Sequence, residues 1–328
     1  MKYNVLDVFC GCGGFSLGFI NEGYNIVLAT DYDIDALKSY SLNNKNIKTL
    51  YADITKLNVK SDIYPLLNNQ KVDIIIGGPP CKGMTLSNEE NLNTTENTLF
   101  LEFIRLVKEI QPKVFVIENI PDIVYLSKGK IKDAIIREFS LLGYCTENFL
   151  LDSSKFGIPQ YKDRSIFIGV RGKGIEIKIP FPGKQETLSC QAALNDLPDL
   201  INNKNNEKYI FEPQNEYQKL MRRNSKKITN HYIPSVPTNI KFMDEERKLK
   251  ANFPADNLDT RPKHRNQKHY LYERLLTVRE CARLQSFPDD YEFYGEENKQ
   301  FMQVGNAIPP LLAQYIAFTL KKYIDNIK

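Results

Sequence analysis

The first 170 residues repeat one unit, a short apolar run followed by a turn and then a stretch with helical spacing. "YNVLDVF" (3–9) leads into "GGFSLGFINEG", and "NIVLATD" (25–31) leads into "DIDALKSYSLN". "KTLYAD" (48–53), "VDIIIGG" (72–78) and "KVFVIEN" (113–119) are further apolar runs, and "NTLFLEFIRLVKEI" (97–110) has the 3.6-residue period of a helix. Alternation of this kind predicts an α/β fold, a doubly wound and mostly parallel sheet with helices on both faces. "YCTENFLLD" (144–152) and "RSIFIGV" (164–170) are expected to close it as an antiparallel pair. From about residue 175 the period is lost in Gly-, Pro- and Asn-rich text such as "RGKGIEIKIPFPGKQ" and "INNKNNEK". After "YLYERLLTVREC" a helical pattern returns through Leu284, and the last segment, "NAIPPLLAQYIAFTLKKYI", reads as a long amphipathic helix. The division expected is 1–179 as the main domain, 180–272 as a smaller loop-rich insert, and 273–328 as a return to the main domain.

Composition narrows the function classes. No apolar run approaches the roughly 20 residues that span a bilayer. The opening residues go straight into a strand pattern, so a cytoplasmic protein without a leader is expected. The six cysteines are scattered without a CxxC pair, and the three histidines all lie beyond residue 230, which argues against a metal site and against a disulfide framework. Charge is uneven. Residues 219–279 hold 15 Lys and Arg against 6 Asp and Glu, in a chain whose net charge is only +4. A local basic excess points to a polyanionic partner.

Two stretches carry chemistry. "DVFCGCGGFSLGF" sets Gly11, Gly13 and Gly14 between a strand and a helix, where a backbone can turn tightly against a ligand. Asp31 ends the next strand, where ribose hydroxyls need a carboxylate acceptor. Tyr32 can lie against an adenine, and Asp53 can accept from its amino group. The spacing is not GxGxxG, so an adenosyl ligand is favoured over a dinucleotide. In "IIIGGPPCKGMTLSN" (74–88) two prolines hold Cys81 at the carboxyl end of a central strand, a place for a nucleophile if its pKa is lowered. The next strand ends in Glu118 and Asn119, so a thiol and a carboxylate share an edge, as covalent attack with proton assistance requires.

With these residues in view, the chain resembles the DNA (cytosine-5)-methyltransferases of bacterial restriction–modification systems. The resemblance rests on six ordered motifs: "DVFCGCGG", "GGPPC", "ENI" (118–120), "QYKDR" (160–164), "LTVRECARLQSFPDDY" (276–291) and "QVGNAIPP" (303–310). It implies a Rossmann-like, S-adenosylmethionine-dependent fold with the target-recognition domain in 180–272, where the basic excess lies. It implies double-stranded DNA as partner, a cytosine swung out of the duplex, covalent addition by Cys81, and Glu118, Arg164 and Lys162 as the other catalytic groups. S-adenosyl-L-methionine would meet Phe9, Gly11, Gly13, Asp31, Tyr32, Asp53, Pro79, Leu99 and Asn306. No metal is implied; a monomer is expected, with any cognate restriction endonuclease encoded separately. Arg279 and Glu280 are expected to organise the base of the recognition domain. Two departures stand out. Lys82 replaces the Gln that usually follows the nucleophile, and Lys162 replaces the first Arg of Gln-x-Arg-x-Arg. Lys82, with Thr85 and Ser87, is expected to contact DNA; the alternative role for Lys82 is to help keep Cys81 as thiolate. The rival functions are methylation of a tRNA cytosine and DNA binding without catalysis.

Overall fold

The computed structural model describes residues 2–328 except 82–91, 93–96, 181, 183–186, 201–207, 210, 224, 226, 236–247, 257–266, 273, 326 and 328. Seven strands form one sheet: β1 (Asn4–Val8), β2 (Asn25–Asp31), β3 (Thr49–Tyr51), β4 (Ile74–Gly77), β5 (Val114–Asn119), β6 (Tyr144–Asp152) and β7 (Asp163–Arg171). Their order is β3-β2-β1-β4-β5-β7-β6. β1 to β5 pair in parallel, whereas β7 runs antiparallel to both β5 and β6. The doubly wound reading and the closing antiparallel pair are both present. β7, however, is inserted between β5 and β6, which the sequence pattern did not specify.

Alternation along the strands explains the two layers. Leu6 and Val8, Ile75, and Phe115 and Ile117 turn to one face, under α3 (Thr98–Ile110) and α4 (Lys130–Leu141). Val5, Ile74 and Ile76, and Val114 and Val116 turn to the other, under α1 (Gly14–Asn21) and the C-terminal helix Pro310–Ile324. α2 (Ile34–Asn43) follows β2 and is capped by Asp33, whose carboxylate accepts from the N–H groups of Asp35 and Ala36. Strands buried on both faces read as continuous apolar runs, which is why "IIIG" shows no polar alternation.

The C-terminal helix approaches α1 closely because α1 carries glycines at the crossing. A Cβ on Gly18 would lie 2.4 Å from the Gln314 amide nitrogen, and one on Gly14 would lie 2.5 Å from the Ile308 carbonyl oxygen.

The described part of the insert contains two short helices, α5 (Cys190–Leu194) and α6 (Glu216–Arg222). Cys190, Leu194, Met221 and Ile228 pack with Val278, Cys281 and Phe287, on and just beyond α7 (Val278–Leu284), and with Phe301 of α8 (Glu297–Asn306). The C-terminal helix is therefore α9. Charge threads this core. Arg283 pairs with Asp196 from the insert and with Asp289, and Arg222 grips Asp196 through Nε (2.9 Å) and Nη2 (2.7 Å). Arg279 donates from Nε to the Thr229 carbonyl (2.8 Å) and from Nη1 to that of Pro288 (2.6 Å). Glu280 closes a capping box with Thr277 and takes both terminal nitrogens of Arg274. Buried charges survive only when paired in this way.

Because the α1–α9 approach has no slack, Gly18→Ala is expected to cost about 2 kcal/mol or more, as overpacking does. Urea unfolding followed by circular dichroism measures it; an unchanged midpoint would show that the two helices can part freely.

Candidate active site

Topology gathers the site at one edge of the sheet. The carboxyl ends of β1, β2 and β4 deliver Phe9, Asp31 and the Gly78–Cys81 turn, and β5 ends in Glu118 and Asn119. β7 runs the other way, so its beginning reaches the same edge. Glu118 faces Ile166 and Asn119 faces Ser165, which sets Arg164 just beyond them.

Cys81 is buried, at 6% exposure. Its Sγ donates to Asn119 Oδ1 at 2.6 Å. The Asn119 amide cannot turn round, because Nδ2 donates to the Pro79 carbonyl (3.0 Å) and Oδ1 accepts from the Ile120 N–H (2.9 Å). It therefore offers the sulfur an acceptor only, which favours the thiol over the thiolate. Burial pushes the Cys81 pKa up to about 11, and the negative charges of Glu118 and Asp122 push the same way. The expectation of a lowered pKa is not met among the described residues. The sequence placed the sulfur but could not show its surroundings; Lys82, the cation invoked, lies outside the described residues, as do Thr85 and Ser87.

Glu118 and Arg164 form a nearly buried pair, with Nε 2.6 Å from Oε1. The approach is off the N–H axis, so Nε is left without an aligned hydrogen bond. Arg164 Nη1 donates to the Asp163 carbonyl (3.0 Å). Gly78 leaves room on the far side of the carboxylate: a Cβ there would lie 3.2 Å from Oε2. Lys162 is brought near this pair but does not join it. Its side chain is buried, and Nζ donates to the carbonyls of Gly305 (2.9 Å) and Ala307 (3.3 Å). Burial and the neighbouring Arg164 cation drive its pKa well below the ordinary lysine value.

The glycine turn is built on left-handed backbone. Phe9, Gly11 and Gly13 have φ of 57°, 53° and 98°. A Cβ on Gly13 would strike the Tyr291 hydroxyl at 2.7 Å and the Tyr40 ring at 2.8 Å, whereas one on Gly11 would meet nothing within 4 Å. The turn is thus packed on one side and open on the other. Asp31 ties it down: Oδ2 accepts from the Gly11 N–H (2.7 Å) and Oδ1 from the Asp33 N–H (2.9 Å). Beneath it, Asp7 is fully buried and its pKa is pushed up to about 8 by desolvation. Ser16 donates to its Oδ2 (2.6 Å) and Tyr40 donates to Ser16 (2.7 Å), a support that the sequence pattern did not single out. Tyr32 is exposed, and Asp53 is exposed with its Oδ1 accepting from Thr55. Pro79 is buried, Leu99 packs partly against the α3 layer, and Asn306 is exposed at the end of α8. Among the described residues no cluster of His, Cys, Asp and Glu could hold a metal ion, and no helix is long and apolar enough to cross a membrane.

An open sheet of this kind, with a glycine turn, an acid on the second strand and a thiol–carboxylate–guanidinium group at its carboxyl edge, defines a group-transfer enzyme of the Rossmann-like methyltransferase class. Residues 3–322 match the family of C-5 cytosine-specific DNA methylases, and the chain belongs to that family. It is 34% identical to the type II methyltransferase M.DdeI of Desulfomicrobium norvegicum, over 99% of this chain and 90% of that one. It is also 34% identical to M1.HphI of Haemophilus parahaemolyticus, over 99% and 88%. Among solved structures, a prophage-encoded E. coli protein described as a DNA modification methyltransferase superposes with a TM-score of 0.81 at 26% identity, covering 99% of this chain and all of the other. The S. pombe Dnmt2 methyltransferase, at 18% identity and a TM-score of 0.70, shares the fold over 99% of this chain and all of that one.

The environment of Cys81 sets a pH dependence. A raised thiol pKa keeps the neutral form through neutral pH, so reactivity rises only as pH climbs towards about 11. In the protein alone, alkylation of Cys81 by iodoacetamide at pH 8, read by peptide mass spectrometry, should be about 100-fold slower than for a thiol of ordinary pKa. A midpoint near 8 would mean that the site activates the sulfur without substrate.

Proposed function

We propose that this chain methylates carbon 5 of a cytosine swung out of a short duplex DNA sequence, through a transient bond from Cys81, as the modification enzyme of a restriction system. One observation carries the reading: Cys81, Glu118, Asn119 and Arg164 converge at the edge that also holds the Gly11 turn and Asp31. Membership of the C-5 cytosine-specific family supports the target atom, and the type II names of the relatives support the restriction context.

The residues fit an adenosyl ligand. The space above Gly11 is open to a ligand, and the Asp31 carboxylate could exchange a backbone partner for ribose hydroxyls. Phe9, Tyr32, Asp53, Pro79, Leu99 and Asn306 would complete the contacts with S-adenosylmethionine, which when bound supplies the electrophilic methyl group that carbon 5 takes up.

Every other task falls to side chains. The Cys81 thiol gives its proton to water as its sulfur bonds to carbon 6, and the displaced ring electrons make carbon 5 nucleophilic. Glu118 holds or protonates nitrogen 3 and so stabilises the charge pushed into the ring, while Arg164 donates to the oxygen on carbon 2. After methylation, loss of the proton on carbon 5 restores the double bond and breaks the carbon–sulfur bond. Because the resting site favours the thiol, the sulfur becomes reactive only when the base is in place, which protects it from stray electrophiles between turnovers. Lys82, Thr85 and Ser87 would act on the DNA backbone, and the basic segment 219–279 supplies the long-range attraction.

Two assays test this. Tritium transfer from labelled cofactor is expected to duplex DNA and not to tRNA; the reverse would favour the RNA reading. With duplex carrying 5-fluorocytosine, the enzyme should form a denaturant-stable complex that Cys81→Ser does not form. Methyl transfer by Cys81→Ser at the wild-type rate would refute the covalent route.

A further inference from the structure

Lys162 immediately precedes β7 and still pairs with the chain beside it, its carbonyl accepting from the Ser153 N–H (3.1 Å), so two residues before Arg164 it falls on the same side. Two cations on one face repel, and both are buried. The conflict is resolved by sending them to different acceptors. Arg164 goes to Glu118, and Lys162 goes to the end of α8. There the Gly305 and Ala307 carbonyls, both within reach of one ammonium, bracket a single residue, Asn306. The end of a helix is also where unpaired carbonyls and the negative end of the helix dipole favour a cation. A lysine suits the task, since its tetrahedral ammonium can aim separate donors at carbonyls two residues apart, whereas a planar guanidinium presents its donors in a fixed fork.

We infer that Lys162 is a positioning residue for the cofactor rather than a contact to the base: by clasping the carbonyls on either side of Asn306, it fixes the angle at which that residue meets S-adenosylmethionine. The inference rests on the functional reading above, which makes Asn306 a cofactor contact. It also joins the two halves of the site. One short piece of chain, 162–164, holds the carboxylate pair at one end and the Asn306 turn at the other, so cofactor and base would be set by the same strand.

The test separates cofactor binding from attack on the base. Lys162→Met should weaken S-adenosylmethionine binding about tenfold by calorimetry without DNA. It should raise the cofactor KM in step, leaving kcat at saturating cofactor largely intact. Release of tritium from position 5 of cytosine in duplex DNA, measured without cofactor, reports thiol attack alone and should be unchanged. Lys162→Gln, whose amide can still reach one carbonyl, should fall between the two and serves if the methionine variant does not fold. In an Asn306→Ala background Lys162→Met should add no further loss of affinity. The clasp is refuted if the variants lower thermal stability but keep wild-type cofactor affinity, if tritium release falls instead, or if the two substitutions simply multiply. Failure of the wild type to bind S-adenosylmethionine at all would sink the functional reading and the clasp with it.

Discussion

β5 is the strand on which the site depends, because it is paired in parallel on one side and antiparallel on the other. A parallel neighbour brings its carboxyl end to the same edge, and an antiparallel neighbour brings its beginning there. Three stretches far apart in the chain, around residues 81, 118 and 164, therefore meet without any long loop crossing the sheet. A wholly parallel sheet would have put the start of β7 at the opposite edge, leaving Glu118 without its guanidinium.

Much of this was legible in the sequence. Apolar runs fixed the five parallel strands to within a residue or two, because buried parallel strands leave little room for polar side chains. The glycine turn and the acid of β2 were readable because backbone conformation restricts which residues can stand there. What could not be read depends on contacts between distant segments. The insertion of β7 between β5 and β6 is a matter of pairing, and no local pattern encodes it. The Cys81 environment follows from the orientation of the Asn119 amide, which Pro79 and Ile120 set. Lys162 looked like a worn copy of an arginine, and only its two carbonyl partners show what a lysine does there. The twelve-residue helix α4 is long enough to leave a pattern, yet no element was expected over Lys130–Leu141, where charged residues dilute the apolar stripe.

The charged seam around α7 gives the described part of the insert its footing. Arg283, Asp196, Asp289 and Arg222 lie in a core that also holds Cys190, Leu194 and Phe287. Such a network contributes little net stability compared with an apolar core of the same shape, but any single loss leaves its partner buried and unpaired. It therefore specifies one docking of these helices. At the same seam Arg279 holds the Thr229 carbonyl and Glu280 closes its capping box.

Packing of α9 against α1 has a consequence for how the chain is made. The face of the sheet formed by Val5, Ile74 and Val114 is sealed by Leu312, Ile316 and Leu320, which leave the ribosome long after the strands they cover. Until then a broad apolar surface has no cover, and the nascent chain is a natural client for a chaperone. The same closeness ties the segment after α9 to β1 and β5: the Tyr3 hydroxyl donates to Asp325, and Lys113 Nζ donates to the Ile327 carbonyl. Moving the α9 segment ahead of β1 through a short linker would then let the sealing helix be synthesised first.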